Sequence, residues 1–177
     1  NFNKPINNWN VSGVQSMNGM FGHANSFNQD LSNWTLNPNC DIINIFSYST
    51  SLSEENRSKF ASNADETIYV SSGFFQPPYY RFYENSNGTN QINNLTLDIS
   101  KTYKFQMLSN SYSHPFYMYN TGSNSQITIN GSSLRNGGSF FTLTFNGTKS
   151  QIGRLYYFCT AHSFMNSEIS LVNSNNS

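Results

Sequence analysis

Hydrophobic positions follow two different rules along this chain. Over the first sixty residues they recur at long range: Phe2-Asn3-Lys4-Pro5-Ile6-Asn7-Asn8-Trp9 returns as Phe27-Asn28-Gln29-Asp30-Leu31-Ser32-Asn33-Trp34, a shift of 25 positions. A fainter third copy keeps the shift, since Met17, Met20, Phe21 and Phe27 fall on Ile42, Ile45, Phe46 and Leu52. A period of this length predicts a solenoid, in which each coil buries its apolar side against the next. Trp9, Met17, Met20, Phe21 and Trp34 are then expected in a stacked core. Ser51-Leu52-Ser53-Glu54 reads as a capping box opening a short helix, Glu54 to Phe60, that closes the end of the stack.

From about Thr67 the pattern becomes short alternating runs separated by Asn, Gly, Ser and Pro. These runs predict strands over 67–71, 79–83, 94–97, 102–108, 116–119, 126–129, 140–145, 155–158 and 168–172, at the spacing of a β-sandwich. Asn-Gly at Asn87, Asn130, Asn136 and Asn146 supplies turn chemistry. The expected organisation is a repeat module over 1–60, a linker over 61–66, a sandwich over 67–172 and a tail over 173–177. The fold class is mainly β.

Composition narrows the function classes. Lys+Arg and Asp+Glu are both 9 in 177 residues, so no summed field gathers nucleic acid or anionic lipid. No apolar run approaches the roughly 20 residues of a membrane span. Near-zero charge also leaves little repulsion between copies, so contacts with other copies or other surface proteins are expected through aromatic or amide-rich faces. The chain opens at Asn1 without an initiator Met or signal-peptide pattern and reads as a processed or excised piece. Sequons at Asn10, Asn33, Asn56, Asn87, Asn94, Asn130, Asn146 and Asn175 suit an extracellular glycoprotein, although a chain so rich in Asn, Ser and Thr carries many by chance.

Chemistry concentrates in Leu155-Tyr156-Tyr157-Phe158-Cys159-Thr160-Ala161-His162-Ser163-Phe164-Met165, an apolar strand running into Cys, then His, then Met. A second histidine, His114, precedes another expected strand in Ser113-His114-Pro115-Phe116. Two imidazoles and one thiolate are the set that copper takes at an electron-transfer site, with a thioether as weak axial ligand. Cys40 offers an alternative, a disulfide with Cys159 that would consume the thiolate. His23, in Gly22-His23-Ala24, reads as a solvent-facing turn residue. His-Glu-x-x-His, Gly-x-Ser-x-Gly and phosphate-loop motifs are missing from the sequence, and the carboxylates are scattered, so catalysis is not expected. Phe74-Phe75 and Tyr79-Tyr80 form a candidate sugar-binding patch, against which stands the reading that rings such as Tyr80 and Phe82 fill the sandwich.

Two resemblances add to this. The segment 1–60, through Trp9, Val11, Val14, Met17, Met20 and Phe21, resembles the BspA-type leucine-rich-like repeats of microbial and viral surface proteins, some of which adhere to partners. Residues 66–172 resemble the cupredoxins, and Cys159-Thr160-Ala161-His162-Ser163-Phe164-Met165 is most like the amicyanin-type loop Cys-Thr-Pro-His-Pro-Phe-Met. The second resemblance implies a Greek-key sandwich with His114, Cys159, His162 and Met165 as ligands of one copper ion. Pro115 departs from the family, which carries Asn after the first His; Pro has no N–H to offer the Cys sulfur. The expected function is a structural or adhesive protein of the extracellular space, cell surface or virion surface that carries a copper-binding cupredoxin-like domain. A copper electron-transfer module and a carbohydrate-binding module are the rivals.

Overall fold

The computed structural model describes residues 2–37, 40–42, 44–53, 56, 57, 60 and 64–174. The chain divides into two compact units, one of residues 1–63 with 130–132 and one of 64–129 with 133–177.

In the first unit, residues one repeat apart lie against one another. Backbone N–H groups of Met17, Phe21 and His23 donate to the carbonyls of Asp41, Ile45 and Ser47 at 2.7–2.8 Å. Rings stack on the same register: Phe2 on Phe27, Trp9 on Trp34 and Phe21 on Phe46. Met17, Phe21, Phe27, Leu31, Trp34, Ile42, Ile45 and Phe46 are buried, as the period requires. Trp9 and Met20 correct the expected core: they are 50% and 44% exposed. Trp9 has a repeat on one side only, whereas Trp34 meets Trp9 on one side and Phe60 on the other. The predicted capping box and the helix from Glu54 fall partly outside the described residues; Asn56 and Arg57, inside them, are helical. His23 is exposed with φ 57°, in a turn as expected, and stacks on Tyr48.

Among the described residues ten strands follow, all in the second unit except for Asn130 at the end of β7: β1 (Glu66–Val70), β2 (Phe82–Tyr83), β3 (Gln91–Ile92), β4 (Thr96–Asp98), β5 (Tyr103–Met107), β6 (Phe116–Asn120), β7 (Ile127–Asn130), β8 (Phe140–Phe145), β9 (Leu155–Cys159) and β10 (His162–Val172). They form a six-stranded sheet, β3-β2-β1-β5-β8-β7, and a four-stranded sheet, β4-β10-β9-β6. Both sheets are mixed, through the parallel pairs β1–β5 and β4–β10. One core joins them, with Ile68, Val70, Phe105 and Phe141 from the first sheet and Leu97, Phe116, Tyr157 and Leu171 from the second. This is a mainly β fold with the layering of a sandwich.

Alternation explains the layering. In β9, Leu155, Tyr157 and Cys159 are buried while Tyr156 and Phe158 are partly exposed. Phe116 of one sheet stacks on Phe105 and Phe141 of the other at 6.0 Å. Each such ring contributes about 1.5–3 kcal/mol by leaving water.

Several boundaries moved. The two-residue β3 and the one-turn helix Lys149–Ile152 were not foreseen, and the expected strand over 79–83 shortens to β2. The last strand is longer than the pattern suggested: β10 starts at His162, so the expected Cys-to-Met loop is a tight turn followed by strand. Its apolar alternation is hidden because register shifts between His162 and Asn166. Ser174, inside the expected tail, bonds the Asp98 carboxylate through both its N–H and its hydroxyl.

Candidate metal centre

β6 begins, β9 ends and β10 begins at one end of the four-stranded sheet. Cys159 faces Phe116 on one side and His162 on the other in the strand register, with Thr160 and Ala161 as the connecting turn. His114 stands two residues before Phe116, so the topology carries both histidines to the cysteine despite a separation of 45 residues between His114 and Cys159. The turn is held there by the Thr160 N–H, which donates to the Pro115 carbonyl at 3.0 Å.

The side chains converge. His114 Nδ1 and His162 Nδ1 are 3.2 Å apart, and the Cys159 Sγ lies 3.5 Å from His162 Nδ1 and 4.0 Å from His114 Nδ1. An ion bound at about 2.0 Å to each nitrogen and about 2.3 Å to sulfur would separate its ligands by about 3.3–3.5 Å (N to N) and about 3.5–3.7 Å (N to S), in tetrahedral or trigonal geometry. The His114–His162 and Cys159–His162 sides of the observed triangle are close to those values, and the Cys159–His114 side, at 4.0 Å, is a few tenths of an ångström longer. These three residues therefore fit one small metal ion, and they are the group among the described residues whose ligand atoms lie within 4.8 Å of one another. Cys159 is buried and both histidines are partly exposed. Burial, reinforced by the facing His162, holds the His114 imidazole below its ordinary pKa, which favours the neutral form a metal requires.

Met165, the fourth expected ligand, is fully buried in the sandwich core. It lies in the stretch Ser163–Met165 that loops out of register between His162 and Asn166, while the neighbouring Phe164 is 58% exposed. Cys40 and Cys159 are both free in the structure, without the disulfide that the sequence left open.

The supporting residues came from segments read otherwise in the sequence. Ser111 Oγ and Tyr80 Oη both donate to the His114 carbonyl, at 2.7 and 3.0 Å, and the His114 N–H donates back to Ser111 O at 3.2 Å. Burial, followed by the hydrogen bond to Cys159, pushes the Tyr80 phenol well above its ordinary range. Phe75 packs its ring against both imidazoles, with centroids 4.4 Å from His114 and 5.3 Å from His162, and stacks on Phe164. Gly73 makes that approach possible, since a Cβ there would meet His114 Cβ at 2.5 Å. No local spacing marks these contacts, because three separate segments must fold before they exist.

The proposed sugar patch divides: Tyr80 is core, whereas Phe74 and Phe75 are exposed and Phe74 lies under the Arg81 guanidinium. Of the sequons, Asn10, Asn33, Asn87, Asn94 and Asn146 are exposed, Asn56 and Asn130 are half-buried, and Asn175 lies outside the described residues. Asn56 and Asn146 use the Nδ2 atom that a glycan would take in hydrogen bonds to Asn28 and to Thr128.

A family model described as a Mycoplasma protein of unknown function, DUF285, matches residues 1–76. No curated protein and no solved structure matches the chain. No helix among the described residues is long and apolar enough to cross a membrane.

Proposed function

We propose that this chain is part of an extracellular, cell-surface or particle-surface protein in which BspA-type repeats precede a cupredoxin-like sandwich that binds one copper ion. His114, Cys159 and His162 would hold the ion, and Met165, which follows His162 in the irregular part of β10, would supply a fourth, thioether ligand. The observation that carries the reading is the His-Cys-His triangle at the joined ends of β6, β9 and β10. Imidazole and thiolate together select copper or zinc over hard cations, and the order His, Cys, His, Met along the chain favours copper. When bound, copper would supply one-electron redox chemistry.

The chain's own residues supply the rest. Thr160 and Pro115 fix the Cys turn against the His114 segment, Ser111 and Tyr80 fix the His114 backbone, and Phe75 shields the imidazoles from water. The surface role rests on the 25-residue repeat, on the near-zero charge and on the lack of an acid/base constellation in the sequence. One observation favours electron transfer as a second reading: the rings of Phe75 and Phe164, both 58% exposed, border the histidines and offer an apolar contact beside the site.

Metal analysis after equilibrating the 177-residue chain with Cu(II), then with Zn(II), tests the reading. One copper per chain with intense visible absorption supports it. Preference for zinc, or no bound metal, removes it.

A further inference from the structure

The main chain leaves the Cys159 sulfur without a hydrogen-bond donor. Pro115 has no N–H, and the N–H of Thr160, next after the cysteine, is taken by the Pro115 carbonyl at 3.0 Å. Among the described residues no backbone N–H donates to the sulfur; the nitrogens near it are the imidazole Nδ1 atoms of His162 and His114, at 3.5 and 4.0 Å. One hydroxyl does reach it. Tyr80 is 1% exposed, and its phenol O–H lies between two acceptors, donating to the His114 carbonyl at 3.0 Å and standing in hydrogen-bonding contact with Cys159.

The ring that carries this hydroxyl is fixed. It packs edge-on against Phe116 at 5.0 Å and Tyr157 at 5.8 Å, and the segment between β1 and β2 that bears it is closed by the Ser71 N–H on Arg81 O and the Phe74 N–H on Tyr79 O, at 2.9 and 2.8 Å. The proton alone is free to turn, about the C–O bond. The His114 carbonyl does not depend on it. Ser111 Oγ also donates to that carbonyl, at 2.7 Å, and accepts the Gly73 N–H at 3.1 Å, so the carbonyl stays paired when the phenol proton points elsewhere. A metal-bound thiolate carries negative charge, and hydrogen bonds to ionised groups are about twice as strong as those between neutral ones.

We propose that in the metal-bound protein Tyr80 turns its O–H to the Cys159 sulfur and tunes the metal–thiolate bond, in the place that no backbone N–H fills. This inference rests on the copper reading given above and assigns Tyr80 as a positioning residue that acts through the cysteine. A hydrogen bond to the sulfur draws electron density from the thiolate, weakens its donation to Cu(II) and so favours Cu(I). Burial, which holds the Tyr80 phenol well above its ordinary range, keeps the donor proton in place at neutral pH.

The test compares the copper-loaded 177-residue chain with Tyr80→Phe and with a chain carrying 3-fluorotyrosine at position 80, whose O–H is the stronger donor. The readouts are the Cu(II)/Cu(I) potential and the position of the sulfur-to-copper absorption band. Tyr80→Phe keeps the ring in its packing and should shift the affinity ratio toward Cu(II) by about tenfold, which is a potential about 59 mV lower for one electron, with the band moved to longer wavelength. The fluorinated residue should move both readouts the other way. An unchanged potential and band in Tyr80→Phe overturns the inference and leaves the copper reading standing. Shifts of the same sign in both variants overturn it too, since they would trace the effect to ring packing. A parent chain that takes up copper without a sulfur band, or takes up none, removes the copper reading and this inference together.

Discussion

The Thr160 N–H donates to the carbonyl of Pro115 at 3.0 Å, tying the residue after Cys159 to the residue after His114. Proline withholds an N–H from the cysteine sulfur, but its carbonyl here serves as the anchor that closes the ligand segments on each other. Removing the donor with Thr160→Pro should weaken copper binding by about 10–100-fold, the usual cost of losing a hydrogen bond that orients metal ligands. Titration of the variant against the parent checks this, and an unchanged far-UV spectrum would show that the sandwich persists. Equal affinity would mean that the anchor has no part in the site.

Phe75 covers the imidazoles without being a ligand. Phe75→Ala should leave copper bound yet admit small anions such as azide, seen as a new absorption band that the parent does not develop. The variant should cost little stability, because the ring it removes is 58% exposed. Azide binding equally well to the parent would refute the shielding role.

The two stacked tryptophans should behave unequally. Trp34 is 3% exposed and donates its indole N–H to Ile6 O at 2.9 Å, so Trp34→Ala should destabilise the repeat unit by about 3–5 kcal/mol. Trp9→Ala, at a half-exposed position, should cost about 1 kcal/mol. Asn28→Ala, which strips an acceptor from the Ser53 N–H and the Asn56 amide, should fall between them at about 1–2 kcal/mol. Urea unfolding monitored by tryptophan emission measures all three, and equal effects at Trp9 and Trp34 would contradict the stacking register.

Acid should act on the sandwich through Asp98. Hydrogen bonds from the Ser174 hydroxyl, then from the Ser100 N–H and hydroxyl, hold its carboxyl well below the usual carboxylate range. With the folded value depressed, the unfolded chain binds the proton first, so the stabilisation is complete above the ordinary Asp value and is lost as pH falls below it. The stability of the sandwich should therefore drop on acidification below about pH 4. Asp98→Asn should lower stability at neutral pH and flatten that limb; an unchanged acid limb would remove Asp98 as its cause.

Residues that repeat or alternate were legible in the sequence; residues that meet only after folding were not. The 25-residue register announced Met17, Phe21 and Trp34 as buried, yet it treated Trp9 and Met20 alike with them, because a repeat gives position within a coil and says nothing of how exposed each copy is. Period-two alternation located β5, β8 and β9, while the shifted register after His162 masked the start of β10. His114, Cys159 and His162 were identifiable from residue type and from their place at strand ends. Ser111, Tyr80, Gly73 and Phe75 were not, since their roles depend on long-range approach that no local pattern records.

The absorption spectrum of the oxidised, copper-loaded chain beside that of Cys159→Ser tests the central claim most directly. A thiolate bound to Cu(II) gives intense ligand-to-metal charge transfer, so the parent should be strongly coloured with one copper per chain. Cys159→Ser should be colourless and still folded, because apolar burial between the sheets supplies most of the stability. His114→Ala should bind copper more weakly and keep the sulfur band. A colourless parent, or colour that survives in Cys159→Ser, would contradict a copper centre built on His114, Cys159 and His162.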